Sequence, residues 1–169
     1  MEFLNPKGVL LQLGLEENMV AVDFGCGSGG WVMPLAKILK HGKVYAIDVL
    51  QEPLSALRLK LKSENLLNVD VIHANVENHS KILANSCDLV LMTNLLFQAE
   101  HREKILEEGK RILKEGGRIL VVEWKPGANL GPADKISVAN VKDIAKRLDL
   151  KYGNEFEAGV YHWALVLTK

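Results

Sequence analysis

Apolar residues follow two rhythms along the chain. Residues 19–24, 43–48, 69–74, 87–92 and 118–123 are short, mostly apolar runs without helical spacing, which predicts buried strands. Between them the spacing turns helical. Asn5-Pro6 suits an N-cap and first helical position, with Gly14 closing a short helix. Residues 31–40 predict a helix stopped by Gly42, and Pro53 opens another whose stripe is Leu54, Leu57 and Leu61. Residues 101–113 carry Ile105, Leu106, Ile112 and Leu113 on one face, with Glu107 and Arg111 spaced to pair one turn apart. The Gly116-Gly117 pair is expected to end that helix. Ser137 is placed to cap a last helix with Val141, Ile144, Ala145 and Leu148 on its inner face.

Strands alternating with helices predict an α/β fold around a mostly parallel sheet. The tail differs. Residues 151–156 and 161–168 are strand-like runs joined by Glu157-Ala158-Gly159, too short for a parallel crossover, so an antiparallel hairpin is expected. Residues 125–134, with their Pro and Gly, form the longest loop-like stretch, and no repeat or linker interrupts the pattern.

The turn Gly25-Cys26-Gly27-Ser28-Gly29-Gly30 falls between a predicted strand and a predicted helix. Glycine permits positive φ and lets a ligand approach bare backbone, while a helix N-terminus offers unpaired N–H groups. The spacing satisfies both GxGxxG and GxGxG, and a tight turn that binds nothing has the same composition. Asp48 narrows the choice. It ends the second predicted strand, roughly the 20 residues downstream at which an acid accepts hydrogen bonds from ribose hydroxyls. An Asp there also suits a cap on the following helix. Together the turn and the acid predict a nucleoside ligand at one sheet edge, without saying which.

Composition removes several classes of function. At 169 residues the chain has the length of one domain. Lys+Arg and Asp+Glu balance at 21 each, so no bulk field draws nucleic acid or an anionic membrane. The two cysteines, Cys26 and Cys87, make no CxxC and have no histidine cluster nearby, which disfavours zinc and a disulfide framework. The first residues lack a basic start and a long apolar run, and no stretch approaches the ~18 apolar residues of a membrane span. A soluble, cytoplasmic protein without a metal is expected.

Several segments, taken in order, resemble the class I S-adenosylmethionine-dependent methyltransferases. Residues 20–29, VAVDFGCGSG, look like the family's first motif, with Asp23 two residues before the first glycine. VYAID at 44–48 is similar to the second motif, CDLVLMTN at 87–94 to the fourth-strand motif, and LKEGGRIL at 113–120 to the turn before strand five. The C-terminal hairpin is the family's departure from a dinucleotide fold. The resemblance implies a Rossmann-like three-layer sandwich with a seven-stranded sheet, order 3-2-1-4-5-7-6 and strand 7 antiparallel. It makes residues 1–169 one methyltransferase domain, with 1–18 as a short N-terminal helix and lid segment.

By that resemblance, backbone from Gly25 to Gly29, Cys26 and Ser28 included, faces the methionine part of S-adenosyl-L-methionine, and Asp23 positions its amino group. Asp48 holds the ribose, Val49 packs on the adenine, and Asn75 and Val76 recognise the adenine edge. An acid is common at position 75, so Asn75 is a departure, though its amide both donates and accepts. Thr93 and Asn94 lie beside the methionine and the substrate. Cys26 is a small residue in the turn.

Methyl transfer from a sulfonium is an in-line displacement that relies mainly on orientation and exclusion of water. A general base is needed only for a protonated nucleophile. The candidate bases near the sheet edge are His101, Glu123 and Lys125, with His162 further along. His101 equally suits the exposed first turn of a helix, and Glu123 a solvated strand end. Tyr161-His162-Trp163 alternates, placing Tyr161 and Trp163 on one face and His162 on the other, where sheet packing is the simpler role. Related enzymes often carry a histidine after strand four, whereas here the run is Leu95-Leu96-Phe97-Gln98.

The compact form resembles the type 11, quinone-biosynthesis-like methyltransferases. It implies a small-molecule methyl acceptor in an open site closed by residues 3–13, by the 125–134 loop, or by a second subunit in a homodimer. The competing readings are a nicotinamide-dependent oxidoreductase, from the literal GxGxxG, and a non-catalytic binding subunit of the same fold. Modification of nucleic acid or protein lacks an aromatic-basic patch to support it.

Overall fold

A computed structural model describes residues 3–169. Helix α1 (Pro6–Leu11) is capped by Asn5, whose side chain accepts from the Gly8 N–H at 3.0 Å. Strand β1 (Val20–Phe24), helix α2 (Val32–Ile38), strand β2 (Lys43–Asp48), helix α3 (Gln51–Ser63) and strand β3 (Val69–His73) follow. Then come β4 (Cys87–Thr93), a 3₁₀ turn (Leu96–Gln98), α4 (Arg102–Ile112), β5 (Leu113–Trp124), α5 (Val138–Arg147), β6 (Lys151–Glu157) and β7 (His162–Thr168).

The strands form one seven-stranded sheet in the order β3-β2-β1-β4-β5-β7-β6. The first four neighbouring pairs are parallel, and β7 runs antiparallel to both β5 and β6. The sheet therefore has the predicted order and the predicted reversed strand. Because side chains alternate along a strand, each face builds its own core. Val22, Phe24, Met92, Val121 and Leu165 pack with Ile105, Ile112, Val141 and Ile144 of α4 and α5. Ala21, Leu91, Val122 and Ala164 pack on the other face with α1, α2 and α3. The expected stripes Leu54, Leu57, Leu61 and Val141, Ile144, Ala145 are buried, and Ser137 caps α5 in a reciprocal capping box with Asn140.

Three local expectations are corrected. Helix α4 stops at Ile112, and Leu113 already has extended geometry and pairs with Cys87, so Gly116-Gly117 lies within β5 at a register shift and does not end the helix. Arg111 pairs with Glu108, one position from the expected Glu107, because Glu108 is buried and also receives the Ser80 N–H at 2.7 Å. Tyr161 precedes β7, so strict alternation fails there and its ring joins that of His162 around Phe3. Among the described residues, no helix is long and apolar enough to cross a membrane.

Candidate active site

The glycine turn leaves β1 with Gly25, Gly27 and Gly29 all at positive φ. Two of them are also held by close approach. A Cβ on Gly25 would lie 2.8 Å from Leu95 Cδ1, and one on Gly29 would overlap Leu57. The Gly25 and Cys26 N–H groups both donate to the Ile47 carbonyl, at 2.8 and 3.0 Å, and Gly29 N–H donates to the Cys26 carbonyl at 3.0 Å. Gly27 N–H donates to Asp48 Oδ2 at 2.8 Å. The turn thus spends these donors internally and presents backbone surface, not an anion cradle. Lys60 from α3 holds its tip, with Nζ donating to the Ser28 carbonyl at 2.9 Å, a contact no sequence motif announced.

Asp48 serves both roles left open by the sequence. Its Oδ1 accepts from Leu50 N–H at 2.9 Å at the start of α3, while Oδ2 fixes the glycine turn. Each carboxylate oxygen keeps a further lone pair for a ribose hydroxyl. Beside it is a cavity of about 280 Å³ bordered by Gly25, Asp48, Val49, Asn75, Val76 and Leu95. The structure therefore gathers the predicted adenosine-side residues around one space. Asn75 Oδ1 accepts from Glu77 N–H at 2.9 Å, which turns the chain at the rim.

Asp23 lies on the sheet face shared with α1, α2 and α3. It is buried, and neither carboxylate oxygen has a hydrogen-bond partner. Burial first, and then the charge of Asp48, hold its pKa well above the ordinary carboxylate range. Thr93 is buried at the end of β4. Asn94 follows in left-handed backbone, φ +50°, its N–H donating to the Val122 carbonyl at 2.8 Å and its buried Oδ1 without a partner. Burial, Asp23 and Asp48 push the Cys26 thiol up, so it is no nucleophile.

The candidate bases fall in different places. Glu123 is fully buried on the face of α4 and α5, where Oε1 accepts from Leu95 and Leu96 N–H at 2.9 and 2.6 Å and Oε2 is unpartnered. It supports the turn after β4 from beneath and is not a solvated strand end. Burial raises its pKa to about 7. His101 precedes α4, exposed beside Glu100, with its N–H donating at 3.2 Å to Glu77, which borders the adenosine-side cavity. The ligand atoms of Glu77, Glu100 and His101 lie within 4.8 Å of one another at the surface, where the Glu77 carboxylate already accepts the other two residues' N–H groups. Lys125 Nζ is paired with Glu157 at 2.8 Å.

One regularity was invisible in the sequence. Among the described residues, every buried side-chain N or O atom without a hydrogen-bond partner belongs to Asp23, Asn94, Glu123 or His162. All four stand at one sheet edge: near the ends of β1, β4 and β5 and at the start of antiparallel β7. Buried polar atoms are nearly always paired, so this clustering makes the edge the candidate site, with Asp23 and His162 on one face and Glu123 on the other.

Comparison with known proteins agrees with this geometry. Residues 22–121 match the family model described as a methyltransferase domain. A SAM-dependent methyltransferase from Aquifex aeolicus superimposes with a TM-score of 0.90 at 30% identity, covering 98% of this chain and 89% of that one. The demethylmenaquinone methyltransferase of Geobacillus stearothermophilus is 30% identical over 118 residues, 69% of this chain and 50% of that protein. A probable cobalt-precorrin-6B C(15)-methyltransferase (decarboxylating) from Methanocaldococcus jannaschii is 37% identical over 88 residues, 46% of this chain and 47% of that protein. The chain spans about half the length of the curated relatives it matches. By the match over residues 22–121 and the shared fold, the chain belongs to the class I S-adenosylmethionine-dependent methyltransferase family.

Proposed function

We propose that the chain binds S-adenosylmethionine along the edge from Asn75 to Asp23 and transfers its methyl group to a small-molecule acceptor. The observation that carries this reading is the Asp23 carboxylate, buried with both oxygens unpaired. Such a group is expensive to keep unless a cation meets it in the working state. The cofactor's amino group is such a cation, and when bound its sulfonium supplies an electrophilic methyl. Asp48 would hold the ribose, with Val49, Asn75 and Val76 around the adenine. The small-molecule acceptor is supported by the relatives' names, which specify small molecules.

A nicotinamide dinucleotide is the weaker fit. Its pyrophosphate needs free N–H groups at the turn, whereas Gly25, Cys26, Gly27 and Gly29 already spend theirs. Asp48 beside the turn also repels a dianion, and Asp23, which ionises only against a positive charge, favours a cation. For the proposed transfer, the residues' work is placement. Asp23 and Asp48 anchor the two ends of the cofactor, and the glycine turn and Leu95 fix the chain between them.

A thermal-shift panel tests the reading. S-Adenosylmethionine or S-adenosylhomocysteine at 100 times its dissociation constant adds about 2.7 kcal/mol, or about 5–10 °C in Tm for a domain of this size. NAD and NADP should give no shift, and Asp48→Ala should remove the adenosyl shift. A shift with NAD and none with the adenosyl compounds would overturn the reading.

A further inference from the structure

Of the unpaired groups at the sheet edge, the cofactor reading uses Asp23 and leaves Asn94, Glu123 and His162; His162 is the histidine among them and shares Asp23's face of the sheet. It is fully buried, and neither ring nitrogen makes a hydrogen bond of good geometry with the described residues; the Phe3 main chain is its one loose polar neighbour. Register places it on the cofactor's face. Thr93 pairs with Val122 and Val122 with Ala164, and His162, two residues before Ala164, stands on the same side one row further toward the edge. From Thr93, His162 is thus two strands across, about 10 Å, and one row up, roughly 7 Å. Ala164, a small residue, is what lies between them on that face.

The walls are aromatic. The Trp124 ring centroid is 4.2 Å from that of His162, and bare Gly131 of the following loop backs Trp124, where a Cβ would lie 2.5 Å from the indole. A planar ring already sits there. Phe3, half-exposed on the segment before α1, places its centroid 5.8 Å from Trp124, 5.5 Å from Tyr161 and 5.7 Å from His162. The Phe3 ring shows which shape this corner accepts, and it lacks the polar atom that His162 would pair with.

We propose that His162 is the catalytic group that meets the methyl acceptor, and that the acceptor is a planar aryl hydroxyl whose ring packs against Trp124 in or beside the place of Phe3. The inference rests on the methyltransferase reading above. Burial lowers the imidazole pKa; a loose hydrogen bond with the Phe3 main chain opposes this and Lys125 adds to it, so the ring is neutral and its other nitrogen is the one able to take a proton. The other ionisable groups near it are Tyr161 before β7 and Glu157, which pairs with Lys125. In the step, the hydroxyl proton moves to a ring nitrogen and an oxygen lone pair forms the new bond to the methyl carbon. The carbon–sulfur bond breaks with its pair left on sulfur, and the proton leaves His162 for solvent. An aryl hydroxyl suits a neutral imidazole because its acidity lies far nearer to that of imidazolium than an aliphatic alcohol's does.

The test uses the full chain with 2-naphthol as probe and decahydro-2-naphthol as its non-planar control. S-Adenosylhomocysteine affinity is measured first by calorimetry for wild type, His162→Gln and His162→Phe, and should agree within about threefold. With S-adenosylhomocysteine bound, 2-naphthol should bind wild type at least about tenfold tighter than the control, and both variants should lose that preference. Transfer to 2-naphthol should fall roughly 10²–10⁴-fold in both variants, the range for loss of a general base. The acid limb of the wild-type kcat–pH profile, below the ordinary imidazole pKa of 6.5, should vanish in His162→Gln. Intact S-adenosylhomocysteine binding with no binding of 2-naphthol, or variants that keep transfer within about threefold, would overturn the inference. Absence of S-adenosylhomocysteine binding by wild type would instead remove the methyltransferase reading, and this inference with it.

Discussion

Replacing Glu123 by Gln should change how stability depends on pH, and the structure gives both sign and size. The carboxyl is fully buried, one oxygen accepts two backbone N–H groups and the other has no partner. Desolvation outweighs those hydrogen bonds and raises the pKa from 4.5 to about 7. A carboxyl whose folded pKa is raised contributes its full stability below the unfolded pKa and loses it as pH climbs through the folded one. The window therefore runs from 4.5 to about 7. A shift of that size corresponds to about 3 kcal/mol lost by wild type across the window. Gln keeps the carbonyl acceptor for Leu95 and Leu96 and cannot ionise, so its variant should lack this slope. Urea denaturation of the ligand-free proteins at intervals from pH 4.5 to 8 measures the difference. The variant should gain about 3 kcal/mol relative to wild type over that range, equivalent to about 6–12 °C in Tm. A difference between the two proteins that does not move with pH would refute the assignment.

Two further perturbations follow from buried carboxylates with opposite shifts. Asp23→Asn removes an ionisable group that has no protein partner, so the ligand-free variant should melt no lower than wild type while S-adenosylhomocysteine affinity falls at least about tenfold; calorimetry in buffers of different ionisation enthalpy should also show proton release from wild type on binding, because the raised Asp23 must ionise to meet an ammonium group. Glu108 behaves in reverse. Desolvation opposes its ionisation, but hydrogen bonds from Arg111 and Ser80 prevail and hold its pKa down at about 2. Its contribution is present above 4.5 and lost as pH falls through 2, so Glu108→Gln should destabilise by about 2–3 kcal/mol at pH 7, by denaturant titration, and by progressively less toward pH 2.

Much of the fold was legible because its signals are local. Solid apolar runs gave the central strands, and the 3.6-residue stripes Leu54-Leu57-Leu61 and Val141-Ile144-Ala145 gave the helix faces. The glycine turn was legible because positive φ and close packing against Leu95 and Leu57 leave few other residues able to occupy it. What escaped depended on tertiary neighbours. Leu113 leaves the helix because Cys87 offers a strand partner, 26 residues away in the chain. Arg111 chooses Glu108 over Glu107 because Ser80 has come to the same place. Glu123 looked like a strand end open to solvent, but the turn after β4 covers it. The unpaired nitrogens of His162 have no signature in sequence at all, since a missing partner is a property of the packed molecule.

The central claim is that the unpaired carboxylate of Asp23 awaits the amino group of an adenosyl cofactor. A crystal structure of the complex with S-adenosylhomocysteine tests it most directly. The account predicts the amino group within hydrogen-bond distance of Asp23, the ribose hydroxyls on Asp48 and the adenine in the cavity of about 280 Å³ beside Val49 and Asn75. A complex in which the ligand binds elsewhere, leaving Asp23 unpaired, would contradict it.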